Sequence, residues 1–309
     1  MLKGIIAFLV RYSGLPFLIR EVFCRRKVVI MVYHRPSAVT LRRHLEYIVK
    51  RYSVITLDTL VDALYAGDFS TLPPKPLVIT IDDGFAENYD LLPVIKEFGI
   101  RPTLYITTGV VGTGRRLWFT FRDYAGNMEL LGLSNEERAR VLKEVDGYER
   151  EREYDGRQTL SYDELRGMAP HVDMQVHSRF HQYLPGCDEA DREEEVCGSR
   201  EDYRRLFGRP PAHFAYPMGE YCERDIDMLR RCGYRSARTI DIGFNGPGSD
   251  PFRLKITAGT DTGGLNMLAG HLCGVITRME KVREAVCVRL AGTYGTAAKS
   301  GSGARICRK

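Results

Sequence analysis

The chain has 309 residues, 44% of them hydrophobic, which is enough to form a sizeable core in one α/β domain or two smaller ones. Its formal net charge is +5, but residues 1–27 and 278–309 together carry +11, so the rest of the chain carries −6. A negatively charged body argues against nucleic-acid binding, whereas the basic ends suit either contact with an anionic membrane or partner, or simple solvation.

The N-terminal segment, residues 1–27, predicts an amphipathic helix. Its first apolar run ends at Arg11 after seven residues, and no small-residue cleavage site follows. Such a run is too short to span a bilayer and is not typical of a signal peptide. We therefore expect a helix over Ile5–Phe23, bent near Pro16, that packs on the domain or on a membrane surface. These features favour a cytoplasmic protein that can make peripheral contact with the inner face of the membrane.

The cysteine spacing shows no pattern that is typical of a disulfide scaffold or a zinc site. The chain has eight cysteines, with no CxxC pair and no zinc-ribbon spacing. A chain of this length can form its own hydrophobic core, so we do not expect a disulfide framework.

From residue 28 onward, hydrophobic patterning predicts strands that alternate with helices, which implies a parallel sheet. The predicted strands are Val28–Tyr33, Ser53–Thr56, Leu77–Ile81, Pro102–Thr107, Val172–Val176, a strand entering a turn within Ala212–Gly219, Tyr234–Arg238 and Arg253–Thr257. The predicted helices are Thr40–Lys50, Leu57–Ala66, Glu87–Phe98, two helices that begin after Ser134 and Ser161, Asp188–Phe207, Glu223–Cys232 and Leu265–Arg289. The Gly- and Ser-rich tail Gly292–Lys309 predicts disorder.

Two adjacent carboxylates, Asp82 and Asp83, follow the predicted strand Leu77–Ile81. In parallel α/β folds the carboxyl ends of the strands form the functional edge. Adjacent side chains on extended backbone point in different directions, so one carboxylate can bind a cation while the other takes part in proton transfer. An ordinary Asp-Asp-Gly turn would also explain the pair, but the rest of the chain favours the functional interpretation.

Two histidines, His177 and His181, follow another predicted strand. Their spacing of four lets both imidazoles reach one side of a helical turn and bind one metal ion. A carboxylate from the Asp82–Asp83 pair would be the third ligand. Two histidines and one carboxylate leave coordination positions open for water and substrate, which is typical of a catalytic site.

Two further features lie at predicted strand ends or loops. His34 follows the first strand, and Leu117–Phe119 contains the only tryptophan, Trp118. An aromatic cluster on such a loop can stack on a sugar ring, although hydrophobic anchoring of the loop is a commoner role.

Together these residues resemble the polysaccharide deacetylases, the carbohydrate esterases of family 4 that share the NodB homology domain. Thr80–Phe85 looks like the first motif of the family, His177–His181 like the second and Phe214–Gly219 like the third. Their order and spacing match as well, and the similarity covers roughly residues 28–275.

The resemblance implies an α/β fold, a distorted (β/α)7 TIM-like barrel, over residues 28–275. The N-terminal helix, residues 1–27, would precede this single main domain. A basic helix end and a disordered tail, residues 276–309, would follow it.

The resemblance also implies roles for individual residues. Asp83, His177 and His181 would hold a divalent metal, with Zn²⁺ the first choice, and Asp82 would be the general base. Tyr216, through its backbone N–H, would help to hold the oxyanion, and Pro217 and Trp118 are further candidates for the substrate side.

The sequence departs from the family pattern in two places. Ala215 stands where many members carry an Arg that orients the catalytic Asp, and Arg253 or Lys255 is a candidate replacement. We assign no Leu-x-x-His motif near the C-terminal end to the site, because His271 lies on a predicted helix and is interpreted as a bystander. His34 is therefore the better candidate for the general acid, as in the branch of the family that resembles poly-N-acetylglucosamine deacetylases.

The reaction implied is metal-assisted hydrolysis of the N-acetyl group of an amino sugar, in a polysaccharide or a glycan precursor for the cell surface. Two alternatives remain open: a non-catalytic carbohydrate- or partner-binding module on the same barrel, and a metal-dependent hydrolase of another amide or ester. Asp82 favours an enzyme, because a metal site alone does not need it, whereas the missing Arg favours a binding module.

Overall fold

The computed structural model describes residues 2–121, 130, 133–280 and 282. The tail predicted to be disordered lies outside the described residues. The single helix predicted over Leu265–Arg289 is wrong, because the helix that begins at Leu265 ends at Leu272, ahead of a turn at Gly274 with φ of 73°. Among the residues described, no helix is long and apolar enough to cross a membrane.

The described strands belong to one sheet, and each named strand pairs in parallel with its neighbours. Parallel pairing follows from the helical crossovers that the sequence pattern predicts between the strands. The strands are β1 (Val29–Tyr33), β2 (Ser53–Val54), β3 (Pro76–Ile81), β4 (Thr103–Ile106), β5 (Asp173–Val176), β6 (His213–Ala215), β7 (Ser236–Ile242), β8 (Leu254–Ile256) and β9 (Ala258–Gly259).

The segment around Thr257 nearly closes this sheet into a barrel. The strand order is β8-β7-β6-β5-β4-β3-β1-β9, with the short β2 beside β3. Because β8 and β9 flank Thr257, one stretch of chain pairs with β7 at its start and with β1 at its end. The backbone N–H of Thr257 also donates to the carbonyl of Ile30, at 3.0 Å. This architecture confirms the predicted distorted (β/α)7 barrel.

Helices surround the barrel and follow the predicted pattern closely. The helix predicted over Asp188–Phe207 is interrupted by one π-helical turn, Glu194–Gly198. The α-helices are α1 (Leu2–Tyr12), α2 (Leu15–Leu18), α3 (Ala38–Ile48), α4 (Leu57–Ala66), α5 (Leu92–Phe98), α6 (Asn135–Asp146), α7 (Tyr162–Met168), α8 (Glu189–Glu193), α9 (Ser199–Phe207), α10 (Glu223–Arg231) and α11 (Leu265–Leu272).

Strands β1 and β3 to β6 are buried along their whole length, and β1 and β3 accordingly have nearly continuous apolar sequences. Alternate residues of β1 belong to different clusters: Met31 packs in the cluster that includes the outer helices, and Ile30 packs in the barrel interior. The interior cluster also contains Leu57 and Leu60 of α4. The barrel is therefore a packed core, and polar chemistry is confined to its ends.

The N-terminal helix bends as predicted, because α1 ends at Tyr12 and Gly14, with φ of 78°, precedes α2.

A single disulfide joins Cys197 to Cys232, so the described residues contain one bridge rather than a framework.

Candidate active site

Polar side chains from separate strand ends meet at the carboxyl end of the barrel. Asp82 and Asp83 follow β3, His177 follows β5, and His181 lies four residues further along. All four are at least 95% buried. Parallel strands end on the same side of a sheet, which is why residues distant in sequence converge here.

The two histidines face one carboxylate oxygen. Nε2 of His177 and Nε2 of His181 each lie 3.5 Å from Oδ1 of Asp83. Nδ1 of His177 lies 2.8 Å from the carbonyl oxygen of Ala215, so Nδ1 carries the proton and donates it. Nε2 is then unprotonated, and its lone pair points toward Asp83.

Burial sets the charge of this cluster. It lowers the pKa of His177 to about 4 and that of His181 well below its usual value, so both rings are neutral at pH 7. Burial, with a contribution from the charge of Asp82, raises the pKa of Asp83 to about 7. Neutral imidazole is the form that binds metals.

The cluster has the properties of a cation site. Among the described residues, Oδ1 of Asp83 and Nδ1 of His181 have no hydrogen-bond partner, although both atoms are buried. A lone pair facing a carboxylate oxygen across 3.5 Å is repulsive unless positive charge lies between them. Two imidazoles and one carboxylate are also a donor set that suits zinc and leaves positions open. The residues present therefore fit a divalent metal.

The segment between the histidines is not helical, so the expectation of a helical turn is wrong. Residues 177–183 form an irregular loop. Ser178 and His181 adopt left-handed φ values of 61° and 59°, which turn both rings toward Asp83. Buried Glu195, in the π-helical turn, holds this loop by accepting the backbone N–H of Phe180 at 2.9 Å.

Asp82 contacts a buried arginine that the sequence analysis did not single out. Nη2 of Arg238, on β7, donates to Oδ2 of Asp82, and Arg238 is 1% exposed. Arg238 is the register partner of Ala215. The guanidinium that the family pattern places at residue 215 is thus provided by the adjacent strand.

Neither predicted replacement contacts Asp82. Arg253 bonds instead to Glu223 and lies 3.5 Å from Asp250, while Lys255 points outward from β8 and is exposed. The signal for Arg238 was present in the sequence, since a charged residue within a predicted core strand needs a buried partner.

The charges around Asp82 favour its ionised form. Burial alone would raise the pKa of Asp82, but Arg238 first, and then His177 and His34, outweigh it and hold this pKa below its usual value. Asp82 and Asp83 are adjacent in sequence, yet their pKa values are shifted in opposite directions. Such a separation is typical of a site in which the two carboxyl groups have different roles.

His34 lies on the solvent side of Asp82. Its Nε2 is 3.8 Å from Oδ2 of Asp82, and its side chain is 48% exposed. Asp261, after β9, accepts the backbone N–H of His34 at 2.7 Å and places its second oxygen 3.9 Å from Nδ1. Asp261 was not among the predicted site residues, although it follows a strand end just as Asp82 does.

Two predicted substrate contacts are wrong. The backbone N–H of Tyr216 donates to the carbonyl of Arg238 at 3.0 Å, so the sheet already uses the donor that was expected to hold the oxyanion. Trp118 is 3% exposed and donates its indole N–H to the carbonyl of His181 at 2.8 Å, so it supports a metal ligand and cannot stack on a sugar. Pro217 is buried in the turn Pro217–Gly219, and its role at the substrate side stays a prediction.

A second cluster of possible ligands lies at the opposite end of the barrel. Asp173 begins β5, His213 begins β6, and Asp58 lies in α4. Like the first set, each of these residues offers one ligand atom within 4.8 Å of the others. Nε2 of His213 lies 2.9 Å from Asp58, and Nδ1 lies 2.8 Å from the hydroxyl of Ser236.

Known structures share this fold at low sequence identity. A deacetylase, PplD, from Streptococcus pyogenes has a TM-score of 0.56 at 15% identity, over 75% of this chain and 92% of that one. A polysaccharide deacetylase from Bacillus cereus has a TM-score of 0.58 at 18% identity, over 80% and 69% of the two chains. IcaB from Ammonifex degensii has a TM-score of 0.57 at 18% identity, over 81% and 97%. No curated protein matches the chain.

The barrel, with its buried Asp and His residues at the carboxyl rim, defines a hydrolase-type α/β site. The profile of the polysaccharide deacetylase family matches residues 70–237, and the chain belongs to that family. It is accordingly an enzyme that hydrolyses carbon–nitrogen bonds other than peptide bonds, of the class that deacetylates polysaccharides. The match contains Asp82, Asp83, His177 and His181, but His34, Arg238 and Asp261 lie outside it.

Proposed function

We propose that this protein removes the acetyl group from an N-acetylated amino sugar, in a polysaccharide or a glycan precursor, with the help of a divalent metal. Asp83, His177 and His181 would hold the metal. Zn²⁺ is the ion that best suits two neutral imidazoles and one carboxylate. When bound, such an ion supplies a Lewis acid that polarises the acetyl carbonyl and lowers the pKa of water.

Asp82 is the proposed general base. Its geometry supports this role, because Arg238 holds Oδ2, while Oδ1 is buried, has no hydrogen-bond partner in the described part of the chain and can accept a proton. Its lowered pKa keeps it ionised at neutral pH, before it takes a proton from the attacking water. Arg238 is a positioning residue that fixes the direction of this carboxylate.

His34 is the proposed general acid. It lies within 4 Å of Asp82 and is half exposed, on the side from which a glycan can approach. Asp261 orients it, and His34 would protonate the departing amine of the sugar. An oxyanion donor must come from a group other than the Tyr216 amide. We propose the turn Pro217–Gly219 that follows β6, where the left-handed φ of 58° at Met218 marks strained backbone.

One observation carries the proposal: Oδ1 of Asp83 is buried, has no hydrogen-bond partner within the residues described and lies 3.5 Å from a ring nitrogen of each histidine. The test is to incubate zinc-loaded protein with N-acetylglucosamine oligomers, and separately with a lipid-linked N-acetylated amino sugar, and to measure released acetate. Acetate from either substrate supports the proposal. Stoichiometric zinc with no acetate from any acetylated amino sugar would favour a hydrolase of another amide or ester.

The cytoplasmic location expected from the N-terminal sequence stays a prediction. Cell fractionation followed by mass measurement of the intact protein tests it. A shortened form outside the cytoplasm would count decisively against it.

A further inference from the structure

The N-terminal helices expose an unusual concentration of apolar side chains. Of the eighteen large apolar side chains that are exposed among the described residues, nine lie between residues 5 and 23. We call these nine the N-terminal face. On α1 they are Ile5, Phe8, Leu9 and Tyr12, and further along they include Phe17 and Phe23. Single exposed apolar residues are ordinary, but a contiguous group marks an interaction surface.

The spacing shows that this face is the free side of a docked helix. Residues 5, 8, 9 and 12 follow the i, i+3, i+4, i+7 pattern of one helical stripe. The other side of α1 is held to the domain: Ala7 is fully buried, and Nη1 of Arg11 donates to Asn266 of α11 at 2.8 Å. Within the part of the chain that the structure describes, the domain therefore leaves the N-terminal face uncovered.

Positive charge surrounds the face. Lys3, whose Nζ lies 3.2 Å from Glu280, is at one end, and the exposed residues Arg25, Arg26 and Lys27 follow the other. The only acidic residue in the first 27 is Glu21, which lies 2.7 Å from Arg20 and 3.3 Å from Nζ of Lys75. An apolar stripe with aromatic residues and flanking cations has the chemistry of a helix that lies in a membrane interface.

We propose that the N-terminal face binds the surface of an anionic lipid bilayer. The helix would lie in the plane of the interface, with the stripe of α1 toward the acyl chains and the cations beside lipid phosphates. A second copy of the chain suits this face poorly, because pairing two such faces would bring their like charges together. The proposal does not depend on the deacetylase reaction.

The test is co-sedimentation of the full-length protein with lipid vesicles. One set contains phosphatidylcholine alone and the other includes phosphatidylglycerol, each at low and high salt. We expect binding to the anionic set that weakens as salt is added. A parent protein that fails to sediment with anionic vesicles would overturn the proposal.

Two variants separate the apolar and ionic contributions. Phe8→Glu/Leu9→Glu should lower the lipid–water partition coefficient of the protein by at least about tenfold, since it places negative charge on the stripe of α1 that would enter the bilayer. Arg25→Gln/Arg26→Gln/Lys27→Gln should lower it by roughly 10²-fold, at about fivefold for each cation near the lipid.

The matched control is Val39→Glu/Val145→Glu, which changes two apolar residues, 77% and 60% exposed, outside the face. It should bind vesicles as the parent does, and thermal melting should show that all variants are folded. Equal binding by Phe8→Glu/Leu9→Glu and the parent would refute the proposal. A parent dimer that this variant dissociates, with vesicle binding unchanged, would instead assign the face to a second copy of the chain.

Discussion

At each end of the barrel, three residues that can bind a metal lie close together. Only the carboxyl end has the electrostatics of a metal site. At the amino end, Asp58, Asp173 and His213 are as close to one another as Asp83, His177 and His181 are at the carboxyl end. Arginines, however, already face the carboxylates of the amino end. Arg235 lies 3.8 Å from Asp58, and Arg209 lies 3.8 Å from Asp173.

Hydrogen bonding separates the two ends further. Both ring nitrogens of His213 have partners, and both oxygens of Asp173 accept from the amide of Gln175, at 3.0 and 3.1 Å. At the carboxyl end, by contrast, the only described side chains within ion-pair distance of the Asp83 carboxylate are His177 and His181, and both of their rings are neutral. Proximity of ligand atoms therefore does not define a metal site; buried ligand atoms that are not already committed to other polar partners do.

Backbone strain separates the two ends in the same way. Five described residues other than glycine have positive φ, and four of them line the carboxyl end: Asp83, Ser178, His181 and Met218. Each such residue costs about 1–3 kcal/mol, which the surrounding fold must offset. Strain concentrated at one end of a barrel indicates that this end is organised for chemistry rather than for stability.

The largest expected effect is that of Asp82→Asn. The amide keeps the size of the side chain but cannot accept the proton, so kcat should fall by about 10²- to 10⁴-fold with bound zinc unchanged. Zinc content and acetate release are measured on the same preparation, with Asp227→Asn on the exposed face of α10 as a control that should behave as the parent. Full activity in Asp82→Asn would remove this residue from the mechanism.

Arg238→Gln should have the next largest effect. Arg238 lowers the pKa of Asp82, so its loss raises that pKa, and the acidic limb of the profile of kcat/KM against pH should move to higher pH. We expect a loss of roughly 10- to 10²-fold near pH 6 that becomes smaller at alkaline pH. Arg235→Gln, at the amino end, should leave the profile in place. A uniform loss at every pH would show that Arg238 acts by structure alone.

His213→Ala should affect stability and leave the reaction intact. It removes the buried imidazole that is hydrogen-bonded to both Asp58 and Ser236. The free energy of unfolding should therefore fall by about 1–3 kcal/mol. Urea denaturation measures this loss, and zinc content and kcat of the folded variant should equal those of the parent. A drop in bound zinc would show that the amino-end cluster does bind metal.

Asp58→Asn should have the smallest effect. His213 first, and then Arg235, lower the pKa of Asp58 below its usual value. A carboxyl group whose pKa is lower in the folded state stabilises the protein above its unfolded pKa of about 4, and this stabilisation is lost as the pH falls through the folded value. Asp58 is half exposed, so the variant should lose less than about 1 kcal/mol at pH 7. Melting temperatures of both proteins should converge toward acidic pH, and a constant difference would contradict the account.

Much of the barrel and the metal ligands could be predicted because they depend on local patterns. Apolar runs mark the strands, and the polar residues directly after them, Asp82, Asp83 and His177, lie where parallel strands must end. The predicted helix over Leu57–Ala66 has these bounds in the structure, because Thr56 and Gly67 cap its two ends.

The errors concern interactions between segments that are distant in the sequence. Arg238 replaces the missing arginine only because the sheet register places it beside Ala215, and one sequence does not reveal that register. In the same register, the backbone N–H of Tyr216 donates to the carbonyl oxygen of Arg238. Burial of Trp118 depends on how its loop packs against Leu130 and Leu142, which a local pattern cannot show.

The most direct test of the central claim is the zinc stoichiometry of three purified proteins after equilibration with Zn²⁺ and dialysis. The parent and His213→Ala should each retain one zinc ion per chain, because the carboxyl-end cluster is intact in both. His177→Ala/His181→Ala should retain almost none, because two of its three ligands are gone. One zinc per chain in the double variant, or its loss in His213→Ala, would contradict the assignment of the metal site to Asp83, His177 and His181.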